Sequence, residues 1–350
     1  MSGVLFKKSE GLPPLPEVFF ELAERLQSPK GSRYQPDPSP RELKDAEAEL
    51  ADIVGEERAK RYLELLKAKG YLAVGREGEL LLGPRGMRAL GAKYLEGFFH
   101  GRAKSYFYGF HPGEDAPGPE PSGEVRPYRR GEPLFLNAAE TLKRALFSGG
   151  MSESALVQDL SEVGAAMATA LLLDCSHSMV LYEKDRFTPA KRVALALYHL
   201  IQKRFPGDRL ELICFGDRAR RVPPAALPFL SVGPWHTNTA EALALAHRYL
   251  KSRPEPKKAV ILVTDGKPSA ITLPGGELYK NAWNLDEKIT AATLKEAARI
   301  ARLGARLHVY MLADHPELLA FVRRLVAAGR GRAVLADPEE ILRDFSRIRG

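Results

Sequence analysis

Beyond Ala166 the chain alternates between short, mostly apolar runs and longer stretches whose apolar residues recur every three to four positions. The first kind is expected to form buried strands and the second amphipathic helices. Strands are predicted at 170–173, 210–215, 259–264, 307–312 and 333–335. Helices are predicted at 188–205, 239–250, 286–303, 316–328 and 338–348. Continuous apolar strands separated by such helices imply an α/β, doubly wound, mainly parallel sheet covered on both faces, spanning 166–350. Ligands of such sheets sit beyond the carboxyl ends of the strands, where the strand order reverses.

The first third follows another rhythm. Residues 18–26 form one amphipathic helix opened by Pro16 and Glu17, and a proline-rich break at 36–40 follows. Helical periodicity resumes over 42–69, carried by Leu43, Ala46, Leu50, Ile53 and Val54, then by Tyr62, Leu65 and Leu66, until Gly70 stops it. Two short apolar runs at 71–74 and 79–82 flank a Gly-rich turn and read as a hairpin, and a helix restarts at Pro84 and runs toward Phe99. Helix, helix, hairpin and helix in this order resemble the winged-helix arrangement, so 1–108 is expected to form a smaller helical domain with the hairpin as its wing. Residues 109–165 read as a connecting region. It has linker composition at 109–123, an extended basic segment at 126–136, and a short helix at 138–146 behind Asn137 as N-cap.

Three pieces of the α/β region carry the chemistry. Asp174-Cys175-Ser176-His177-Ser178 stands at the end of the first strand, Thr237 lies just before a helix, and Thr264-Asp265-Gly266 closes a later strand. A hard divalent cation such as Mg²⁺ takes six oxygens and keeps some of them as water. Two serine hydroxyls, one threonine hydroxyl and two carboxylates offer five protein oxygens, and Mn²⁺ suits the same donors. In order and spacing the pieces resemble the D-x-S-x-S, Thr and T-D-G elements of the metal-dependent adhesion site of the von Willebrand factor A family. The resemblance implies that Ser176, Ser178 and Thr237 supply hydroxyls, that Asp174 and Asp265 contact the metal or its waters, and that one position stays open for a partner's carboxylate. Thr237 precedes Leu243 by the six residues at which the family places its ligand, and Thr239 reads as the helix N-cap. His177 and His236 are neighbours of the site; each reads as a solvated loop residue, with contact to a partner as the alternative. The polar segment 268–286, with Gly275, Gly276 and Trp283, is longer than a minimal strand-to-helix connection. It could be a rim that helps choose the partner, or equally a floppy insertion.

Within that family, 171–179 and 187–197 resemble the stand-alone bacterial proteins related to the magnesium-chelatase D subunit and to CoxE. The resemblance implies pairing with a MoxR- or chelatase-type AAA+ ATPase, as an adaptor that recognises its target through a metal-bridged carboxylate. Chelatase activity is not implied, because the D subunit's AAA+-like portion and acidic linker have no counterpart in these residues.

Composition alters this picture little. A chain of 350 residues, 45% hydrophobic and 27% charged, is ordinary globular usage with room for two cores. Its net charge of +8 permits contact with nucleic acid or acidic proteins. Much of the excess is scattered helix arginine, however, and 42–69 mixes signs through Glu47, Glu49, Asp52, Glu56, Glu57 and Glu64. Nucleic-acid binding through the wing is therefore the alternative reading, and protein binding the leading one. No phosphate-binding G-x-x-x-x-G-K-[ST] loop, acid/base pair or nucleophile elbow supports an enzyme. The two cysteines, Cys175 and Cys214, are expected to be reduced and packed. No early segment has the make-up of a secretory signal and no apolar stretch would span a bilayer, so a soluble, cytoplasmic protein without membrane contact is expected.

Overall fold

The computed structural model describes residues 13–31, 35–100, 125–127, 144, 157–159, 166–181, 185–205, 207–265, 267–312 and 316–335. The chain divides into two compact units, Met1–His100 with Ala166–Ile348, and Gly101–Ala165 with Arg349–Gly350.

The first unit opens with α1 (Leu15–Gln27). Proline in its first turn costs no hydrogen bond, because the N–H groups there have no helical acceptor. Its face of Val18, Phe19, Leu22, Ala23 and Leu26 is buried. α2 (Leu43–Val54) starts with a capping box in which the Glu42 backbone N–H donates to Asp45 Oδ2 at 2.7 Å. The single periodic stretch expected over 42–69 is interrupted at Gly55, whose φ of +88° only glycine adopts without strain, and α3 (Glu56–Ala68) follows. The predicted hairpin is present as β1 (Leu72–Val74) antiparallel to β2 (Leu80–Leu82), and α4 (Pro84–His100) completes the helix, helix, hairpin, helix order.

In the second unit the described residues form one antiparallel pair, β3 (Val125–Pro127) with β4 (Val157–Asp159). The predicted linker at 109–123 lies outside the described residues. So do the helix at 338–348, most of the basic segment, and the helix at 138–146 apart from residue 144.

The α/β region runs β5 (Met167–Asp174), α5 (Phe187–Arg204), β6 (Arg209–Phe215), β7 (Ala219–Arg221), α6 (Thr239–Lys251) and β8 (Lys257–Thr264). It continues with β9 (Ala270–Thr272), β10 (Leu278–Lys280), α7 (Glu287–Arg302), β11 (Arg306–Met311), α8 (Pro316–Ala328) and β12 (Arg332–Leu335). Among the described residues six strands form one sheet in the order β12-β11-β8-β5-β6-β7. All neighbours are parallel except the edge pair β6–β7, and all eight residues of β5 are buried. β7 escapes an apolar-run reading because it is three residues of Ala-Arg-Arg. One face of the sheet holds the main apolar cluster, from Leu172, Phe215 and Leu262 to Leu243, Tyr249, Ile300 and Phe321. Because the chain moves from β5 to β6 on one side and then to β8 on the other, the order reverses at β5. The carboxyl ends of β5 and β8 therefore open side by side. Among the described residues, no helix is long and apolar enough to cross a membrane.

The N-terminal helices pack on this region. α4 lies along α5, and Gly91 permits the approach, since a Cβ there would stand 2.7 Å from His199 Cβ. β2 rests on the 3-10 turn Pro224–Phe229. Between them the buried Lys191 ammonium donates to the carbonyls of Gln27 (2.7 Å), Pro228 (3.1 Å) and Leu230 (2.9 Å). The end of α1, α5 and the turn are thus joined at one nitrogen. Burial pushes the Lys191 pKa down to about 7.

Candidate metal centre

β5 delivers Asp174 to the end of the sheet with none of its surface exposed. Cys175 continues the ladder, donating its N–H to the Phe215 carbonyl at 2.7 Å, and the chain then coils into a 3-10 turn, His177–Val180, with Ser176 before it. That turn is set by Asp174 itself, whose Oδ1 accepts from the Ser176 backbone N–H at 2.9 Å. A short polar side chain bonding two residues ahead is the usual way an aspartate shapes a strand exit.

β8 brings the second half. The Thr264 hydroxyl donates to Asp174 Oδ2 at 2.5 Å, and Ser178 Oγ donates to Asp265 Oδ1 at 2.8 Å. Ser176 Oγ and Ser178 Oγ are 3.0 Å apart. The other oxygen of Asp265 accepts from Arg186 Nη1 at 3.0 Å. Asp174, Ser176, Ser178 and Asp265 thus form one hydrogen-bonded cluster, with both carboxylates buried.

Thr237 reaches the same end of the sheet through its neighbours. The His177 N–H donates to the Trp235 carbonyl at 3.2 Å, which ties the serine turn to the 235–237 loop. On its other side the Thr237 N–H donates to Ser269 Oγ at 3.0 Å, and the Thr237 carbonyl accepts from the Ser269 N–H at 3.0 Å. The helix that follows is capped by Asn238, not by Thr239 as the sequence suggested: Asn238 Oδ1 accepts from the Glu241 N–H at 3.1 Å. Both residues can cap. Asn238 is selected because its N–H bonds the Gly216 carbonyl and its side-chain amide the Asp217 carbonyl, which leaves Thr239 buried inside the first turn. His236 is held by Asp217, whose Oδ1 accepts the His236 N–H at 2.8 Å.

The 268–286 segment is a built structure. β9 and β10 form an antiparallel hairpin whose Ile271 packs with Ala240 and Ile289 in a small apolar cluster. Lys280 Nζ reaches Asp217 Oδ2 at 2.6 Å. Three residues that shape the site escaped the sequence reading: Arg186, Ser269 and Asp217. Each acts through a partner distant in sequence, such as the 79 positions between Arg186 and Asp265, so no local pattern marks them.

Electrostatics sets the site's demand. Burial, then the neighbouring Asp265 charge, push the Asp174 pKa up to about 7. Burial also raises Asp265, against the pull of its Ser178 hydrogen bond and of Arg186. Among the described residues no group of three or more His, Cys, Asp or Glu is placed to hold a metal. A cation here would therefore depend on hydroxyl oxygens beside the two carboxylates. That donor set suits a hard, partly hydrated ion, and its addition would relieve the carboxylate repulsion.

Comparison with known proteins places the domain. Residues 167–344 match the family model described as Rv0959-like protein, vWA domain. Rv0959 of Mycobacterium tuberculosis is 32% identical over 372 aligned residues, covering 98% of this chain and 53% of the relative, and Mb0984 of Mycobacterium bovis aligns with the same figures. The chain therefore spans about half the length of the curated relatives it matches. Among solved structures, the PilB minor pilin of Streptococcus sanguinis superposes with a TM-score of 0.44 at 15% identity, over 55% of this chain and 63% of that one. The vWF domain of the pilus tip protein Mfa5 from Porphyromonas gingivalis gives 0.40 at 13% identity, over 53% and 96%. The family match runs from the first residue of β5 to beyond β12 and so takes in the whole sheet and both halves of the acidic cluster, and on that match the chain belongs to the Rv0959-like vWA domain family.

Proposed function

We propose that this is a non-catalytic, metal-dependent interaction protein, in which Asp174, Ser176, Ser178, Thr237 and Asp265 hold a divalent cation, Mg²⁺ or Mn²⁺, that captures a carboxylate of a partner protein. The observation that carries the reading is the charge balance of the cluster. Among the described residues two buried carboxylates meet one guanidinium, Arg186, so with both carboxylates ionised, above about pH 7, one negative charge is left over. A divalent cation turns that deficit into a single excess positive charge, which one Asp or Glu from outside neutralises. When bound, the ion supplies an electrophilic open position for that carboxylate oxygen. The protein's own residues do the rest: Ser176 and Ser178 keep neutral oxygens in place, Thr264 and the Ser176 N–H fix the Asp174 oxygens, and Arg186 holds Asp265. A shell of hydroxyls with few carboxylates leaves the ion's charge available to the partner.

The resemblance of 171–179 and 187–197 to chelatase-D- and CoxE-related proteins supports a MoxR- or chelatase-type AAA+ ATPase as the machine this adaptor serves, in the cytoplasm. The N-terminal helices fit a protein-docking role better than the alternative of nucleic-acid binding. The wing strand β2 rests on the Pro224–Phe229 turn, and the exposed face of α3 mixes Glu56, Glu57 and Glu64 with Arg58, Lys60 and Arg61. The test is capture from a lysate of the source organism with Mg²⁺, with chelator, and with an Asp174→Ala bait. An AAA+ ATPase or acidic client retained only with Mg²⁺ and intact Asp174 is the expected result. Capture indifferent to metal, or of nucleic acid alone, refutes it.

A further inference from the structure

The most exposed large apolar side chain among the described residues is Trp283, at 95%. It stands in the loop after β10, and that loop is tied down on both sides. The Asn281 N–H donates to the Ser269 carbonyl at 2.8 Å, and Ser269 is the residue that brackets Thr237. The Asn281 side chain accepts the Trp283 N–H at 3.1 Å and donates to Asp286 Oδ2 at 3.1 Å. Tyr279 donates its hydroxyl to the same Asp286 oxygen at 2.9 Å, while Asp286 Oδ1 caps α7 at the Ile289 N–H, 3.1 Å away. Below, Ile271 and Ile289 pack together, and Lys280 is anchored on Asp217.

A loop held by this many contacts has paid its ordering entropy before any partner arrives, yet it points its one large aromatic residue into water. An isolated exposed tryptophan is an unfavourable way to finish a loop, and a preformed one is what a binding anchor needs. Its position is equally specific, three hydrogen-bonded steps from Thr237 by way of Ser269 and Asn281. Lys280 and Arg218 are held in ion pairs by Asp217 and Glu241, and Lys288 lies 4.6 Å over the Tyr279 ring, a positive charge beside the hairpin. Asp286 has its oxygens occupied by Tyr279, Asn281 and the helix N-terminus.

We infer that the 281–285 loop is the specificity element of the metal site: Trp283 takes an aliphatic or aromatic side chain located a few residues from the Asp or Glu that completes the cation's shell, in a segment of a partner protein. This rests on the metal-dependent reading above and adds to it which carboxylates are chosen.

A panel of labelled synthetic peptides tests it, each with one central Glu flanked by Leu or Phe, or by Ser, measured by fluorescence anisotropy against the full chain in Mg²⁺ and in chelator. Apolar-flanked peptides are expected to bind roughly tenfold or more tightly than Ser-flanked ones, the scale of a buried tryptophan anchor. Trp283→Ala should erase that preference while keeping the Mg²⁺ dependence and the melting temperature, and Trp283→Phe should keep most of the preference. A wild type without preference, or a Trp283→Ala variant that retains it, overturns this inference and leaves the metal reading standing. Wild-type binding that is absent in Mg²⁺ or indifferent to chelator overturns the metal reading, and this one with it.

Discussion

Replacing Asp174 with Asn tests whether the cluster is a site built for a cation at a cost to the empty fold. Asn keeps the shape and an oxygen to accept from the Ser176 N–H, and its amide can donate to the Thr264 hydroxyl, so the substitution removes charge and little else. The Asp174 carboxyl is raised from its ordinary 3.8 to about 7. The folded protein therefore holds a proton between about pH 4 and pH 7 that the unfolded chain has released. The sign follows: this group's contribution to stability falls as pH rises through that window and is at its least favourable above 7. A shift of about three units corresponds to about 4 kcal/mol, so Asp174→Asn should stabilise the metal-free protein by about 2–4 kcal/mol at pH 8 and hardly at all at pH 4. For a domain of this size that is a rise in melting temperature of roughly 5 °C or more. Urea denaturation at both pH values, in chelator and then in Mg²⁺, reads the effect. Mg²⁺ should stabilise the wild type at pH 8 and leave the variant unmoved. A variant that is no more stable than wild type in chelator at pH 8, or that gains as much from Mg²⁺, refutes the reasoning.

Two further substitutions probe the surroundings. Arg186→Gln keeps a donor for Asp265 but removes the one cation that touches the cluster among the described residues, so Mg²⁺ should bind roughly tenfold more tightly while an acidic peptide binds more weakly. Calorimetric titration of each ligand decides, and the charge balance is wrong if both affinities move in the same direction. Lys191→Met leaves the Gln27, Pro228 and Leu230 carbonyls without their ammonium and should cost about 3 kcal/mol of stability, read by chemical denaturation. A loss under about 1 kcal/mol would mean that apolar packing alone joins α1 to α5.

The sequence alone determined those features whose cause is local. A strand buried on both faces is apolar at nearly every position, so 170–173, 259–264 and 307–312 announce themselves, and the helices follow from their 3.6-residue period. The D-x-S-x-S spacing is legible because an aspartate at a strand exit shapes the turn that presents the two serines, a matter of five consecutive residues. Gly70 ends its helix as expected, with φ of +71°. Tertiary structure decided whatever depends on partners far along the chain. It placed β5 between β6 and β8, and so set Asp174 beside Thr264, because strand order follows from how helices cover the sheet and not from any strand's own residues. It chose Asn238 over Thr239 as cap, since the competition was settled by the Gly216 and Asp217 carbonyls. It gave Lys191 three carbonyls from two other segments, folded 268–286 into a hairpin, and paired Arg186 with Asp265. Periodicity records which side of an element is covered; it does not record what covers it, and the charge balance of the site depends on the second.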